Sequence, residues 1–188
     1  MADTPGIETR MDAASFMAWY DLQPDGPRYE LLNGRAYEMQ RECVGHARVK
    51  GACYSALVRA AAARGLPCEV FADGMAVRLD NTTIFQPDVT VRCGPRLPGE
   101  TALILDPAIV VEVLSTTIHP IDVFRKFNGY FRNPGISHYL IVNSVDGGLV
   151  HHRRMPDGRI ESAHRAGGVL ELDPPGLSLD LDELFGGE

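Results

Sequence analysis

The sequence lacks several features that would place it in a specialised class of protein. It contains no run of about 18 apolar residues, the length that a membrane-spanning helix requires. Its first residues also lack the basic and apolar regions of a secretory signal peptide. Hydrophobic residues make up 45% of the chain and charged residues 23%, as in ordinary globular proteins. We therefore expect a cytoplasmic protein with no membrane partner.

Repeats and low-complexity segments are absent as well. A length of 188 residues is typical of one domain. We predict a disordered N-terminus over residues 1–11 and a single domain over residues 12–185.

Cysteine motifs are missing too. The four cysteines, Cys43, Cys53, Cys68 and Cys93, form no Cys-x-x-Cys pair, which argues against a zinc site. In a reducing compartment such cysteines are small core residues rather than disulfide partners. We therefore predict no disulfide and assign the cysteines no role.

Positive charge is scarce. The chain has 25 acidic and 18 basic residues, with a net charge of −7, so it lacks the overall basic footprint of a nucleic-acid-binding protein. A cleft can still be locally positive on an acidic protein, so a DNA substrate is not excluded. Lysine is especially rare: Lys50 and Lys126 are the only two, and all other basic residues are arginine.

The most informative stretch that is present runs from Ala108 to Leu114, with the sequence Ala-Ile-Val-Val-Glu-Val-Leu. Its apolar, β-branched residues predict a central strand that is covered on both faces. An isolated carboxylate in such a strand costs several kcal/mol, on the order of the penalty for a buried charge, unless something compensates it. Glu112 therefore needs a cation, a proton or hydrogen-bond donors beside it.

The residues that follow this strand can supply such a partner. Apolar residues recur at helical spacing from Ile121 to Phe131, and Asp122 and Lys126 lie four residues apart on one face of that helix. The helix can return Lys126 to the carboxyl end of the strand. Two interpretations stay open: a polar functional site, or a structural ion pair of Glu112 with Lys126 or Arg125.

The first third of the chain predicts a short helix from Asp12 to Tyr20 and a hairpin that turns at Asn33-Gly34. Glu30 lies on the first arm of the hairpin, where it faces either solvent or a site. A long helix is predicted from His46 to Arg64. We favour a role for His46 in starting this helix, and a solvated face for its basic residues, Lys50 among them.

Short strands are predicted in the middle and last parts of the chain. Asp88 begins one of them and alternates with two apolar residues, Val89 and Val91. The order strand, helix, strand around the Ile121 helix predicts a crossover with parallel pairing. A closing hairpin carries a basic cluster that either contacts phosphates or protects a sheet edge. The predicted ranges are Cys68–Phe71, Met75–Leu79, Thr83–Phe85, Asp88–Arg92, His138–Val142, Val150–Arg154 and Arg159–His164, followed by a terminal turn or helix over Leu179–Phe185.

Several of these segments, taken in order, resemble the Uma-type family of restriction endonucleases within the PD-(D/E)-x-K nuclease superfamily. The resemblance covers about residues 12–185. The segments that carry it are Tyr29-Glu30-Leu31-Leu32-Asn33-Gly34, His46, Gln86-Pro87-Asp88-Val89, Val111-Glu112-Val113-Leu114-Ser115, Asp122, Lys126, Tyr130, Gly135-Ile136 and His138-Tyr139-Leu140-Ile141-Val142.

The resemblance implies an α/β fold of mixed α+β type, with a restriction endonuclease-like mixed sheet flanked by helices, an N-terminal hairpin and a C-terminal hairpin. It implies that Asp88 and Glu112 hold Mg²⁺ or Mn²⁺ and that Lys126 completes the catalytic set. Glu30, His46 and Asp122 are accessory candidates. Leu114 stands where the superfamily often has lysine, and Lys126 matches the lysine on the following helix that is thought to replace it.

The residue types fit this chemistry independently, because Mg²⁺ and Mn²⁺ prefer carboxylate oxygens. The sequence thus predicts a metal-dependent DNA endonuclease that hydrolyses phosphodiester bonds, and the resemblance suggests a homodimer. The alternative is a non-catalytic domain that binds nucleic acid or protein on the same fold, with a degenerate site.

Overall fold

A computed structural model describes residues 10–39, 41–73, 75–114, 120–143 and 147–186, without the side chains of residues 120–122. The helices within these residues are α1 (Ala13–Tyr20), α2 (Val44–Arg64), α3 (Pro120–Tyr130) and α4 (Leu181–Phe185). The strands are β1 (Tyr29–Leu32), β2 (Arg35–Glu38), β3 (Cys68–Ala72), β4 (Ala76–Asp80), β5 (Thr83–Phe85), β6 (Val89–Cys93), β7 (Leu103–Ile104), β8 (Ile109–Leu114), β9 (His138–Asn143), β10 (Leu149–Arg154), β11 (Ile160–Arg165), β12 (Val169–Leu172) and β13 (Leu177–Asp180). No helix in these ranges combines the length and the apolar character needed to cross a bilayer.

The strands form two larger sheets and a small hairpin. One sheet has six strands in the order β11-β10-β9-β8-β6-β3, and the other has five in the order β2-β1-β5-β4-β7. β8 and β9, which α3 connects, pair in parallel with each other, as the crossover pattern predicts. β6 pairs antiparallel with β8. The predicted mixed sheet flanked by helices is therefore confirmed, together with the β1–β2 and β10–β11 hairpins.

Strand β8 is covered on both faces, as predicted. Ile109, Val111 and Val113 pack into a core that α2 and the β12–β13 hairpin share with the six-stranded sheet. Val110 points the other way, into a core formed with Tyr130 of α3 and the five-stranded sheet. Because side chains alternate along a strand, Glu112 lies on the Val110 side. The position of Glu112 thus follows directly from the β8 pattern.

Local signals set most helix boundaries. The Asp12 carboxylate accepts a hydrogen bond from Ser15 N at 2.8 Å and caps α1. Helix α2 begins at Val44, two residues before the predicted start, and ends at Arg64; Gly65 follows it in the left-handed conformation typical of a helix end. The turn at Asn33 and Gly34 has positive φ at both positions, as a two-residue hairpin requires. Met11, within the segment predicted to be disordered, donates a backbone hydrogen bond to Gly34 O, and residues 1–9 lie outside the described residues.

The prediction about the cysteines is wrong for three of the four. Cys68 and Cys93 lie directly opposite each other on the antiparallel strands β3 and β6 and form a disulfide. Cys43 is exposed, and only Cys53 is a buried core residue. The spacing of the cysteines carries no information about the register between β3 and β6, and that register is what brings the two sulfur atoms together.

The β12–β13 hairpin has no counterpart in the predicted elements. Its leucines, Leu170, Leu172, Leu177 and Leu179, are buried in the α2 core. Strands of four residues alternate too briefly to stand out, and Pro174 and Pro175 in the turn read as a simple chain break.

The close approach of α3 to β5 gives a test of the packing. A Cβ atom at Gly129 would lie 2.9 Å from Phe85 Cζ and closer still to Cε2. Because this overpacks the core, Gly129→Ala should lower the free energy of unfolding by roughly 2 kcal/mol in urea denaturation. Gly51→Ala is the matched control, since nothing lies within 4 Å of a Cβ at this exposed position of α2, and alanine should stabilise the helix there by up to about 1 kcal/mol. Equal stability of the two variants would contradict the packing.

Candidate active site

Glu112 is buried in β8, with 9% of its surface exposed. Its Oε1 atom accepts a hydrogen bond from Lys126 Nζ at 2.7 Å and another from the hydroxyl of Tyr130. Both donors come from α3, because the crossover carries this helix back over β8. The sequence-based expectation that α3 returns Lys126 to the strand is therefore met. The side chain of Asp122 lies outside the described residues.

Glu30 is the second carboxylate beside Lys126. It is 1% exposed, and its Oε1 lies 3.3 Å from Lys126 Nζ. The same oxygen accepts a hydrogen bond from Gln86 N at 2.8 Å, which fixes the carboxylate between β1 and the end of β5. Of the two positions left open for Glu30, the structure thus places it in the site rather than at the solvent-facing surface.

Asp88 lies just before β6, and its side chain is hydrogen-bonded to β8, the strand of Glu112. Its Oδ2 accepts a hydrogen bond from Val113 N at 2.7 Å. This bond is possible because β6 and β8 are neighbours and Val89 pairs with Val111. The carboxylates of Asp88 and Glu112 are therefore held close together at one end of the neighbouring strands β6 and β8.

The start of α2 brings a further set of polar residues to Asp88. Glu42, His46 and Lys50 recur every four residues and so share one side of the helix and its N-terminal approach. His46 Nε2 lies 3.3 Å from Asp88 Oδ2, and His46 Nδ1 lies 3.5 Å from Glu42 Oε2. Lys50 Nζ bonds to Glu42 and lies 4.0 Å from Asp88 Oδ1. His46 therefore faces the site, beyond the helix-starting role that local signals favour.

The sequence analysis does not place three of the residues around Asp88, namely Lys50, Asp73 and Glu42, at this site. Lys50 is 8% exposed, so the expectation of a solvated position is wrong for it. Asp73 approaches Lys50 Nζ at 3.3 Å, and Glu42 bonds to both Lys50 and Arg28. The four-residue spacing of Glu42, His46 and Lys50 is a signal that could have found two of these residues. Asp73 carries no such signal, because only the packing of β3 brings it near.

Burial and neighbouring charges shift the pKa values of these groups. Burial raises the pKa of Glu112 to about 7; Lys126 opposes this rise, and the carboxylates of Asp88 and Glu30 add to it. Burial alone would lower the pKa of Lys126, but Glu112 and Glu30 outweigh it and raise that pKa. The hydrogen bond to Asp88 raises the pKa of His46. The site thus holds more negative charge than its lysines fully compensate.

Two overlapping sets of residues could hold a metal ion. The sequence-predicted pair is Asp88 and Glu112. The structure adds Glu42 and His46, because one ligand atom from each of Glu42, His46 and Asp88 lies within 4.8 Å of the other two. Carboxylate oxygens and an imidazole nitrogen are all ordinary ligands of divalent ions. The residue types present therefore fit a divalent metal.

The basic cluster of the β10–β11 hairpin does not form one continuous phosphate-binding surface. His151 and Arg153 line a cavity of about 260 Å³ beside β12, whereas His152 packs against Phe127 and Tyr139 on the opposite face. Arg154 donates to the backbone carbonyls of Phe131, Asn133 and Ile136. Much of the predicted cluster therefore stabilises the fold.

Comparisons with known proteins agree with this fold. Residues 13–182 match the model of the Uma2 family, which is described as "Putative restriction endonuclease". An uncharacterized protein of Synechocystis sp. is 27% identical over 180 residues, covering 95% of this chain and 93% of that protein. The crystal structure of "a putative nuclease belonging to DUF820" from Anabaena variabilis has a TM-score of 0.74 at 16% identity and covers 94% of this chain and 98% of its own.

The structural likeness extends over nearly the whole chain and, together with the family match, it confirms the restriction endonuclease-like fold. The family match spans the segments that carry Glu30, His46, Asp88, Glu112 and Lys126. On this evidence, the chain belongs to the Uma2 family.

Proposed function

We propose that this protein is a metal-dependent DNA endonuclease. The observation that carries the proposal is the pairing of two carboxylates on adjacent strands, Asp88 and Glu112, with Lys126 bonded to Glu112 at 2.7 Å. The family description and the description of the Anabaena variabilis protein support a nuclease. The proposal goes beyond these descriptions in naming DNA as the substrate and hydrolysis of phosphodiester bonds as the reaction.

Asp88 and Glu112 are the proposed ligands of Mg²⁺ or Mn²⁺. The elevated pKa of Glu112 supports a cation at this place, because a buried carboxylate with carboxylate neighbours is stabilised by further positive charge. When bound, such an ion polarises a phosphodiester and lowers the pKa of water. The Val113 N–H group orients Asp88, and this backbone bond keeps its carboxylate directed at the site before substrate arrives.

Lys126 is the proposed residue that stabilises charge on the phosphate. Its ammonium group carries three donors; it donates a hydrogen bond to Glu112 and forms an ion pair with Glu30. A third donor can therefore contact a phosphate oxygen or position the attacking water. Glu30 and Glu112 keep Lys126 charged, since both raise its pKa.

A homodimer is the proposed assembly, because one such site per chain cuts one strand, and two copies together can cut a duplex. A cytoplasmic location would place the enzyme with DNA.

Cleavage of supercoiled plasmid is the direct test. We expect the wild-type protein to nick or linearise plasmid with Mg²⁺ or Mn²⁺ and to stop when EDTA is added. Asp88→Asn should reduce the rate by more than about 100-fold, beyond the effect typical of residues that act only through a ligand. Asp157→Asn is the matched control, since Asp157 lies in the β10–β11 turn and pairs with Arg159, away from the carboxylates of the site.

Unchanged cleavage by a folded Asp88→Asn variant would refute the assignment. Absence of cleavage by the wild type on plasmid and single-stranded DNA, with either metal, would favour the non-catalytic binding domain.

A further inference from the structure

The residues at the start of α2 form a donor set that differs from the Asp88 and Glu112 pair. Glu42 and Asp88 offer carboxylate oxygens, and His46 adds a nitrogen, with one ligand atom from each lying within 4.8 Å of the others. Two ligands that are each about 2.1 Å from one ion lie roughly 3 to 3.5 Å apart when they are adjacent in its coordination shell. The 3.5 Å between His46 Nδ1 and Glu42 Oε2 matches this separation.

The imidazole of His46 supplies an independent indication of a ligand. Its side chain is 9% exposed, and Nδ1 is buried with no hydrogen-bond partner among the residues that the structure describes. A buried polar atom without a partner costs about 1–3 kcal/mol. The other ring nitrogen, Nε2, faces Asp88 Oδ2 at 3.3 Å. Histidine ligands of metals usually have this arrangement, in which a carboxylate holds one nitrogen and the second binds the ion.

Lys50 supplies positive charge at the same place. Its ammonium group bonds to Glu42 Oε2, the oxygen that faces His46 Nδ1. It also lies 3.3 Å from Asp73, whose side chain is 48% exposed and pairs with Arg28. Lys50 can therefore release Glu42 while it keeps Asp73 as a partner. An ion at Glu42 and His46 would then replace the charge that Lys50 provides.

We propose that Glu42 and His46 Nδ1 bind a second cation, with Asp88 orienting the imidazole through Nε2, and that this site prefers a first-row transition ion such as Mn²⁺ to Mg²⁺. The reason for the preference is the nitrogen ligand, because Mg²⁺ favours an all-oxygen shell with several waters whereas transition ions accept imidazole readily. Without an ion, the Lys50 ammonium balances the negative charge of Glu42, and its positive charge weakens ion binding. The proposal shares Asp88 with the proposed nuclease site, but it concerns ion binding and does not rest on cleavage.

Pulsed electron paramagnetic resonance of bound Mn²⁺ tests the site, because coupling to ¹⁴N reports a histidine ligand directly. We expect ¹⁴N coupling in the wild-type protein and in Glu112→Gln, and its loss in His46→Gln. His164→Gln is the matched control, since His164 is exposed on β11. Circular dichroism establishes that each variant is folded.

Calorimetry with Mn²⁺ alone and Mg²⁺ alone adds a test in which two variants should change the affinity for Mn²⁺ in opposite directions. Glu42→Gln should weaken Mn²⁺ binding at this site by at least about tenfold, the lower range for changes around a metal. Lys50→Met should strengthen it by roughly tenfold, because it removes a positive charge close to the ion. A variant that merely disturbed the fold would not bind the ion more tightly.

Absence of ¹⁴N coupling in the wild type, or its persistence in His46→Gln, would overturn the proposal. Loss of the coupling in Glu112→Gln would also overturn it, since the ion would then belong to the Asp88 and Glu112 pair. If ¹⁴N coupling is present and plasmid cleavage is absent, the second site stands and the nuclease assignment fails.

Discussion

Lys126→Met is expected to abolish plasmid cleavage and to destabilise the protein. The proposed mechanism uses the Lys126 ammonium to stabilise charge on the phosphate, and loss of one such donor typically reduces the rate by about 100- to 1000-fold. The substitution also leaves Glu112 and Glu30 as neighbouring buried carboxylates without their shared partner. Breaking a buried ion pair in this way costs on the order of 3 kcal/mol. Cleavage rates and urea denaturation at pH 8 measure the two effects.

Lys126→Arg separates the catalytic role of this position from its structural role. Arginine retains the positive charge but presents a planar fork in place of a compact ammonium group. We expect this variant to regain most of the lost stability and little of the lost rate. A folded Lys126→Met protein that cleaves like the wild type would show that Lys126 serves only as the structural partner of Glu112.

The stability of the protein is expected to fall as the pH rises from about 4.5 to above 7, and Glu112→Gln should remove this part of the dependence. The pKa of Glu112 rises from 4.5 to about 7 on folding, mainly because of burial. Between these values the folded state binds more protons than the unfolded state, so this stabilisation is present at low pH and is lost as the pH passes 7. At pH 8 the glutamine variant should therefore be more stable, on the order of a few kcal/mol.

Denaturant titrations at pH 5 and pH 8 measure the effect, with the exposed residue Glu100 changed to glutamine as a control. The stabilities of the wild type and Glu112→Gln should differ little at pH 5 and diverge at pH 8. Added Mn²⁺ should stabilise the wild type more than Glu112→Gln if Glu112 is a ligand, because a ligand that binds only the folded state raises its stability. A glutamine variant that is less stable at both pH values would indicate a structural ion pair.

The sequence predicts the part of the site that depends on local order along the chain. The apolar run of β8 places Glu112, and the helix that follows must cross back over the sheet, which returns Lys126 to it. Asp88 is recognisable because it begins a strand with clear alternation and matches a family motif. The placement of Glu112 and Lys126 is predictable because strand periodicity and the crossover connection are set by the backbone itself.

The rest of the site depends on the pairing of distant segments. Glu30 faces inward only because β1 pairs with β5, with Leu31 opposite Ile84, and a hairpin pattern does not specify that partner. A shift of one residue would turn Glu30 to the other face. Likewise, His46 and Lys50 reach Asp88 through the packing of α2 on the six-stranded sheet. The Cys68–Cys93 disulfide depends on the register of β3 and β6 in the same way.

The rarity of lysine makes acylation of lysine side chains a probe of this one region. Lys50 and Lys126 are the only lysines, and their side chains are 10% and 17% exposed. A reagent that modifies amines should therefore react slowly with both lysines while the protein is folded. Each lysine should react rapidly once its own helix, α2 for Lys50 and α3 for Lys126, detaches. Peptide masses then report Lys50 and Lys126 separately. The order in which they become reactive tells whether α2 or α3 leaves the carboxylates first.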